Sequence, residues 1–371
     1  MPSVEAARRV RYVDFAAQFA AERTGLMDAV EGVLARGDFI GGEEVGLLEA
    51  AVAAYLGVEH VIALNSGTDA LLFSLTALGI GRGDEVITAS NSFIASAAAI
   101  AHVGAVPVFV DVLPNQLLDP AAVEHAITPR TSALMPVHLT GRVADMPALA
   151  AIAQRHGLAI VEDAAQAFGS RLGGKCAGTF GGINAFSAHP LKNLNAAGDA
   201  GFVATSDADL ATRVKRLRNH GFLDRDTALE FGFVSRMDTL QAAILRYRLT
   251  RVDDLIGQRR RNADAYRDML PSGVWFAHET ADQFNSYHLF VIQSDDRDAL
   301  RARLSERGIG TKIHYPTPIH LQPAAGRFGY RRGTLPETER QAARILSLPV
   351  QQFLKLDDIA YVAQEINAFF R

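Results

Sequence analysis

The feature that most constrains the fold is an alternation of short apolar runs with helical segments in the first half of the chain. The apolar runs are residues 60–64, 85–88, 106–110, 133–137 and 158–161. They lack a polar alternate face, and such strands occur in parallel sheets that helices cover on both sides. Helical segments separate them, as βαβ connections require. This region therefore predicts an α/β domain around a mostly parallel central sheet.

Helical periodicity also precedes this region, at residues 12–56, with an interruption at 37–42. After residue 194 the pattern changes. A strand at 201–205, a charged helix at 209–218 and a long helical stretch at 237–270 are predicted there.

Beyond residue 270 the pattern is mixed. Residues 287–292 and 310–314 alternate like half-exposed strands, and 298–307 and 357–370 have helical periodicity. We predict a large α/β domain over residues 1–250, with an N-terminal helical arm, and a small α+β domain over 251–371.

Composition excludes several function classes. The net charge of −4 in 371 residues gives no reason to expect a nucleic acid partner. The apolar run at 92–110 approaches membrane-span length, but Gly104 and Pro107 break it, so a buried helix and strand explain it better than a span. The N-terminus has no apolar core typical of a signal peptide. With Cys176 as the sole cysteine, no internal disulfide or cysteine metal cluster can form, and we expect a cytoplasmic protein.

Lys192 follows an apolar strand and a proline turn, where the chain folds back near a buried sheet. Lysine is rarely buried unless its charge is used or removed. A desolvated lysine can lose its proton and form a Schiff base with a carbonyl compound. For a single lysine, an exposed loop position is the commoner situation.

Residues 66–71 join the end of a strand to the start of a helix. Ser66 is a good N-cap, and Gly67 lets a ligand approach the backbone. The free N–H groups of a first helical turn attract anions, so this segment is a candidate phosphate site. The alternative is a capped helix without a ligand.

Other chemically capable residues follow strand ends. Glu162 and Asp163 end a buried strand, where ligands of open α/β sheets bind, so both acids are expected to point toward the crevice. One carboxylate could hold a proton on a heteroaromatic nitrogen; alternatively, both stabilise a helix N-terminus. Phe93 could stack on a planar ring or belong to the core, and His138 could be a site residue or a hydrogen-bonded structural histidine.

Together these segments supply the four groups that pyridoxal 5′-phosphate requires: an anion site, a ring stacker, a buried acid and an amine. The histidines show no metal-ligand spacing. Residues 79–84 resemble a dinucleotide fingerprint only superficially, because they follow a helix and precede a strand, the reverse of the required order.

Ordered motifs over nearly the whole chain give it a resemblance to the DegT/DnrJ/EryC1/StrS family of pyridoxal-phosphate sugar aminotransferases. The motifs are GDFIGG at 37–42, NSGTDAL at 65–71, GDEVI at 83–87, PVHL at 136–139, EDAAQA at 162–167, the segment 186–194, RNHG at 218–221, HYP at 314–316 and HLQ at 320–322. The resemblance implies the aspartate aminotransferase fold, type I.

It also implies residue roles. Lys192 would bond to the cofactor and later move a proton, and Asp163 would pair with the pyridine nitrogen. Further cofactor contacts are implied for Gly67, Thr68, Phe93, Gln166 and Ser187. Candidate substrate contacts are His189, Asn193, His314, Tyr315 and His320. A lysine at position 192 argues against the dehydratase branch of the family, which has histidine there.

Two departures from the family pattern affect these roles. In the stretch 232–237, Val234 replaces an amide that would reach the neighbouring subunit's cofactor phosphate, and Ser235 or Arg236 would have to substitute. Ala200 replaces a second glycine, a small steric change that we expect to be tolerated.

The resemblance implies a homodimer with shared active sites that moves an amino group from L-glutamate to a keto sugar, and a nucleotide-linked sugar is the expected acceptor. Two alternatives stay open. The acceptor could be a cyclitol or another non-nucleotide ketone, or the protein could be an inactive regulatory protein that binds the cofactor.

Overall fold

The computed structural model describes residues 8–371 of the chain. The expectation that the N-terminus holds no export signal concerns residues 1–9, of which 1–7 lie outside this range. The α-helices are α1 (Phe15–Arg36), α2 (Glu43–Leu56), α3 (Gly67–Ala77), α4 (Ile94–His102), α5 (Pro120–Ala126), α6 (Met146–His156), α7 (Ala208–Leu217), α8 (Thr239–Leu249), α9 (Val252–Met269), α10 (Arg297–Glu306), α11 (Pro336–Arg344) and α12 (Leu356–Phe369).

The strands are β1 (His60–Leu64), β2 (Glu85–Ala89), β3 (Val106–Val110), β4 (Thr131–Met135), β5 (Ala159–Asp163), β6 (Arg171–Leu172), β7 (Lys175–Cys176), β8 (Ile183–Ser187), β9 (Gly201–Thr205), β10 (Trp275–Phe276), β11 (Gln283–Phe284), β12 (Phe290–Gln293) and β13 (Ile345–Leu348).

A seven-stranded sheet forms the centre of the molecule, in the order β1-β9-β8-β5-β4-β2-β3. Strand β9 runs antiparallel to both of its neighbours, and the other pairs are parallel. The mostly parallel sheet predicted from the apolar runs is confirmed. Because the six remaining strands point the same way, their carboxyl ends meet at one edge of the sheet, where ligands of open α/β sheets bind.

Helices cover both faces of this sheet, which explains why its strands lack a polar side. One core lies between the sheet and α3, α4 and α7. On the opposite face, α2 and α8 pack over β1, β8 and β9, and α5 and α6 pack over β2, β3 and β4. Burial of apolar surface on two faces is the main favourable contribution to a fold of this kind.

The C-terminal part has a core of its own, built from α9, α10, α12 and the antiparallel strands β12 and β13. Val10 from the N-terminal segment also belongs to this core. A domain boundary near residue 250 stays a prediction.

Several elements differ from those predicted. The helical stretch 237–270 is two helices that break between α8 and α9. Residues 310–314 make only an isolated bridge, Lys312 to Ser347, and not a strand. The strand that pairs with β12 is β13, which the periodicity did not indicate, and α5 and α11 were also not predicted.

The apolar run at 92–110 contains α4 and β3, as the interruption by glycine and proline predicted. Among residues 8–371, no helix combines the length and the apolar character that crossing a bilayer would need.

Candidate active site

A cavity of about 410 Å³ opens at the carboxyl edge of the sheet, and we call it the central cavity. Its walls come from the segments that follow β1, β2, β4, β5 and β8, together with residues of the C-terminal part. The sequence-predicted residues that line it are Gly67, Thr68, Phe93, Asp163, Gln166, Ser187, His189, Lys192, His314 and Tyr315. Residues up to 248 positions apart in the sequence thus meet in one place.

Lys192 lies on the loop of residues 188–200, which we call the lysine loop. Its side chain opens into the central cavity, so it is partly exposed there, although protein surrounds the amine on its other sides. This burial lowers the pKa of Lys192 from 10.5 to about 8, while the nearby Asp163 carboxylate opposes the change. Near neutral pH a useful fraction of the amine is therefore unprotonated, as a nucleophile requires.

Buried polar side chains of α1 and α8 fix the lysine loop. Arg248 donates from Nε to Glu22 Oε2 at 2.9 Å and from Nη1 to the carbonyl of Asn195 at 2.7 Å. Gln18 Nε2 donates to Asn195 Oδ1 at 3.1 Å. All four side chains are buried. This network was not predicted from the sequence, because its bonds join residues 177 and 226 positions apart.

Asp163, the last residue of β5, lies in the wall of the central cavity and is buried. Its Oδ2 accepts a hydrogen bond from Ser96 Oγ at 2.7 Å, and Ser96 in turn contacts Ser92 Oγ at 2.8 Å. Its Oδ1 accepts from the amide of Ala165 at 3.2 Å. These bonds hold the carboxylate in one orientation and stabilise its charge.

Glu162 does not share the position of Asp163, contrary to the expectation that both acids point into the crevice. Successive side chains of a strand point to opposite faces, so Glu162 lies on the other side of the sheet. Its oxygens contact His138 Nε2 at 2.6 Å and accept from the amides of Gly178 and Gly181 at 2.7 and 2.6 Å. His138 is fully buried, and of the two interpretations the structural one is correct. No helix begins at these acids.

The N-terminus of α3 provides an anion site at the edge of the central cavity. Ser66 caps the helix by accepting from Asp69 N at 3.0 Å, as predicted. Gly67 and Thr68 line the cavity, and first-turn amides lack partners within a helix. A Cβ on Gly67 would lie 2.6 Å from Cβ of Ser187. Glycine is therefore needed for β8 and α3 to approach each other.

Aromatic and amide side chains also line the central cavity. Phe93 is half exposed, and its ring lies 5.8 Å from that of Tyr315. Gln166 accepts from the amide of Thr140 at 2.8 Å and donates from Nε2 to Tyr315 OH at 3.2 Å. Burial, followed by the charge of Asp163, raises the pKa of Tyr315 to about 12.

Several cavity residues were not predicted from the sequence. Arg259 on α9 lines the cavity, is buried and donates from Nη1 to the carbonyl of Tyr287 at 3.1 Å. Burial lowers the pKa of Arg259 to about 10. His288 and Tyr12 also line the cavity. Arg259 lies in a run of three arginines, and no local pattern distinguishes the one that turns inward.

Burial also lowers the pKa of His314 to about 4, and the charge of Lys192 contributes in the same direction. The Nδ1 atom of His314 lies 2.9 Å from Ser347 Oγ. This histidine is therefore neutral across the physiological range of pH, and it can act there as a hydrogen-bonding group but not as a cation.

Three sequence-predicted residues do not line the central cavity. Asn193 is buried and donates to the carbonyl of Ser286 at 3.0 Å. His320 is buried, with Nδ1 2.7 Å from Ser90 Oγ and Nε2 3.1 Å from Glu339 Oε1. Arg236 donates to Asn219 Oδ1 at 3.3 Å.

The segment 232–237 likewise stays outside the cavity of its own chain. Val234 is exposed. Ser235 is fully buried and donates to Asp69 Oδ2 at 2.7 Å. This bond occupies the hydroxyl of Ser235 within its own subunit. Ala200, the second departure, is buried in the wall of the central cavity.

The donor set of the central cavity fits a phosphorylated pyridine aldehyde. An amine with a lowered pKa, an oriented carboxylate, an aromatic face and a first helical turn with an adjacent hydroxyl surround one space. These are the groups that pyridoxal phosphate requires of a protein.

Comparisons with known proteins agree with this chemistry. The sequence model of the DegT/DnrJ/EryC1/StrS aminotransferase family matches residues 21–367. The chain is 44% identical, over 94% of its length and 92% of the relative's, to the dTDP-3-amino-3,4,6-trideoxy-alpha-D-glucose transaminase of Streptomyces venezuelae. It is 41% identical to the "Pleiotropic regulatory protein" of Geobacillus stearothermophilus, over 98% of this chain and 99% of that one.

A solved structure gives the same result. DesV of S. venezuelae, in complex with a ketimine intermediate, superimposes with a TM-score of 0.95 at 42% identity. The match covers 97% of this chain and 98% of that one.

Proposed function

Since this chain belongs to the DegT/DnrJ/EryC1/StrS family and is a pyridoxal-phosphate-dependent aminotransferase, we propose that it transfers an amino group from L-glutamate to a nucleotide-linked keto sugar. The observation that carries the proposal is the amine of Lys192, whose pKa is lowered to about 8 in a cavity that also holds Asp163. The name of the S. venezuelae relative, a dTDP-sugar transaminase, supports the acceptor class.

When bound, pyridoxal phosphate supplies an aldehyde and a ring that can take up an electron pair released at a substrate carbon. Lys192 Nζ would have two tasks: it would hold the cofactor covalently, and as a free amine it would remove a proton from the substrate carbon. A base with a pKa near the working pH suits that second task.

Asp163 would keep a proton on the pyridine nitrogen. Its carboxylate is buried and accepts from Ser96 Oγ at 2.7 Å, so it is fixed before any ligand enters. Preorganised charges of this kind need no rearrangement during the reaction, and that lowers the barrier.

The other contacts follow from the same geometry. Gly67, Thr68 and Ser187 would hold the phosphate at the start of α3, and Phe93 would cover one face of the ring. Gln166 would contact the ring hydroxyl. Its side-chain oxygen accepts from Thr140 and one hydrogen of its amide nitrogen is donated to Tyr315, which leaves the second hydrogen for the cofactor.

We further propose a homodimer in which the segment 219–240 reaches the partner's site. Phe231 in that segment is fully exposed, and Phe233 and Val234 are half exposed. The segment adjoins Phe39, because Thr239 N donates to the Phe39 carbonyl at 3.0 Å. Large exposed apolar side chains concentrated in one segment are typical of an interface. The buried free Cys176 supports a reducing compartment such as the cytoplasm.

A second candidate is a regulatory protein that binds the cofactor without turnover. The name of the Geobacillus relative favours it. Both candidates would use Lys192 and Asp163 to bind the cofactor. The lowered pKa of Lys192 argues for catalysis, because proton transfer at a substrate carbon needs a base with a pKa near the working pH. A cyclitol or another non-nucleotide ketone as acceptor remains a variant of the first proposal.

The experiment that tests the proposal is a pair of half-reactions on the purified holoprotein. Adding L-glutamate should convert the yellow aldehyde form of the cofactor to its amine form, with release of 2-oxoglutarate. A panel of keto sugars, with and without a nucleotide, should then restore the first absorbance, and the compound that does so identifies the acceptor. Absence of any conversion by amino donors would overturn the proposal in favour of the regulatory candidate.

A further inference from the structure

A second depression adjoins the central cavity, and we call it the side groove. It has a volume of about 660 Å³ and shares Tyr12, Val13, Leu191 and His314 with the central cavity. A ligand that reaches Lys192 can therefore extend into the side groove without leaving the protein surface.

The N-terminal segment that forms part of the wall of the side groove is packed against the C-terminal part of the chain. Val10 N donates to the Gly308 carbonyl at 3.0 Å, and Gly310 N donates to the Val10 carbonyl at 2.9 Å. Val10 is buried in the C-terminal core. A Cβ on Gly308 would lie 2.3 Å from the carbonyl oxygen of Arg8, so the N-terminal segment passes closely over this turn.

The side groove is positively charged although the whole chain has a net charge of −4. Arg9, Arg11 and Lys312 line it, and no Asp or Glu does so among residues 8–371. Arg11 is partly neutralised by Asp14 at 3.1 Å. Within the described part of the chain, Arg9 and Lys312 have no carboxylate partner, so their charges are available to an anion.

The volumes of the central cavity and the side groove indicate that a nucleotide-linked acceptor would need both. The central cavity, at about 410 Å³, lies near the lower end of the range for small-molecule sites. The cofactor and one sugar ring would occupy most of it. A nucleotide attached to that sugar needs separate space, and the diphosphate that joins the two carries negative charge.

We propose that the side groove binds the nucleoside diphosphate part of the acceptor, with Arg9 and Lys312 contacting the diphosphate. This inference rests on the proposed function, because it assumes that the sugar part enters the central cavity. Arginine and lysine bind phosphate oxygens through charge-assisted hydrogen bonds. Exposed cations are screened by salt, so binding should weaken as ionic strength rises.

The test is calorimetric titration of dTDP into the holoprotein, in which the cofactor's own phosphate already fills the site at α3. The variants are Arg9→Ala, Lys312→Ala and the double reversal Arg9→Glu with Lys312→Glu. Each single variant should weaken dTDP binding about tenfold, the cost of one charged hydrogen bond. The reversal should abolish binding. Arg332→Ala, an exposed arginine outside the groove, is the matched control and should change the affinity less than twofold.

Two further ligands test which part of dTDP the side groove recognises. Thymidine should bind far more weakly than dTDP, and inorganic pyrophosphate should bind but more weakly than dTDP. Equal binding of dTDP to wild type and to both single variants would overturn the inference, as would pyrophosphate binding as tightly as dTDP. Conversion of the cofactor by L-glutamate should proceed at the same rate in wild type and in Arg332→Ala. Its loss in wild type would count against the proposed function instead.

Discussion

At the residue scale, the reactivity of the site depends on two opposing influences on one amine. Burial lowers the pKa of Lys192 to about 8, and the carboxylate of Asp163 acts in the opposite direction. The side chain is therefore poised between a charged group that can pair with Asp163 and a neutral group that can attack an aldehyde. The lysine and aspartate could be predicted from the sequence, because each follows a strand that ends at the ligand-binding edge of the sheet.

The first prediction concerns pH. The proton leaves Lys192 at about pH 8 instead of 10.5, so the reaction of cofactor-free protein with pyridoxal phosphate should accelerate as pH rises from 6. The rate should level off above pH 8 to 9. Stopped-flow absorbance over pH 6–10 measures it. A rate that keeps rising to pH 10.5 would show that the amine titrates like an exposed lysine.

The second prediction uses Asp163→Asn. Removing the carboxylate removes the influence that raises the pKa of Lys192, so the midpoint of the cofactor-loading profile should move to lower pH. Transamination should fall at the same time by about 10²-fold or more, the scale for loss of a preorganised charge. Asp199→Asn is the control, since Asp199 also lines the cavity but is exposed. A shift of the midpoint to higher pH would contradict the account.

Other residues of the site could not be predicted from local sequence. Ser96 lies in an alanine-rich helix, and its bond to Asp163 joins positions 67 apart in the sequence. Arg259 lines the cavity and donates to the carbonyl of Tyr287, and nothing in the local sequence distinguishes it from the two arginines that follow it. Glu162 and Asp163 looked equivalent, and the alternation of side chains along β5 separates them.

At the element scale, the approach of α3 to the end of β8 creates the anion site. The third prediction is that Gly67→Ala weakens retention of pyridoxal phosphate at least tenfold, because the added Cβ would lie 2.6 Å from Cβ of Ser187. Gly46→Ala is a matched control in α2, where nothing lies within 4 Å of the added Cβ. That change should raise the stability of the protein by about 1 kcal/mol. Equilibrium dialysis and urea unfolding measure the two effects.

The contact of α1 and α8 with the lysine loop gives the fourth prediction. Glu22→Gln leaves the buried guanidinium of Arg248 without its carboxylate, and breaking a buried pair in this way costs about 3–5 kcal/mol. The variant should unfold at lower urea concentration and lose cofactor faster on dialysis. The half-exposed pair of Arg340 with Glu337 is the control, and Glu337→Gln should cost less than about 1 kcal/mol. Equal effects of the two substitutions would contradict the role given to this network.

Elements with a strong hydrophobic periodicity could be predicted from the sequence. Strands that form only by pairing with another strand could not. Helices α7, α10 and α12 and strands β3 and β9 lie within one or two residues of the positions indicated by periodicity. Strand β13 was missed because it is short and fully buried, and residues 310–314 alternate without forming a ladder. Strand formation depends on a partner that local sequence does not specify.

At the scale of the whole molecule, one sheet edge gathers residues from both halves of the chain. The fold class could be predicted because strands buried on both faces leave few architectures open. The position of the C-terminal part could not be predicted from the residue pattern. Only the family resemblance indicated that His314 and Tyr315 would reach the site, and both line the cavity wall.

The fifth prediction concerns the assembly. Light scattering should give about twice the mass of one chain, and Phe231→Asp should shift the protein toward monomer and lower its transaminase activity. The control is Leu356→Asp, because Leu356 is another exposed apolar side chain, at the start of α12. A wild-type protein that is monomeric and active would contradict the shared site.

The central claim is that the amine of Lys192 holds the cofactor in the cavity that Asp163 lines. Borohydride reduction of the holoprotein, followed by peptide mass spectrometry, tests this most directly. The account predicts a pyridoxyl-phosphate mass increment on the peptide that contains Lys192 and none on Lys175, Lys215, Lys312 or Lys355. An increment on another lysine, or a Lys192→Ala protein that still turns over glutamate and a keto sugar, would contradict it.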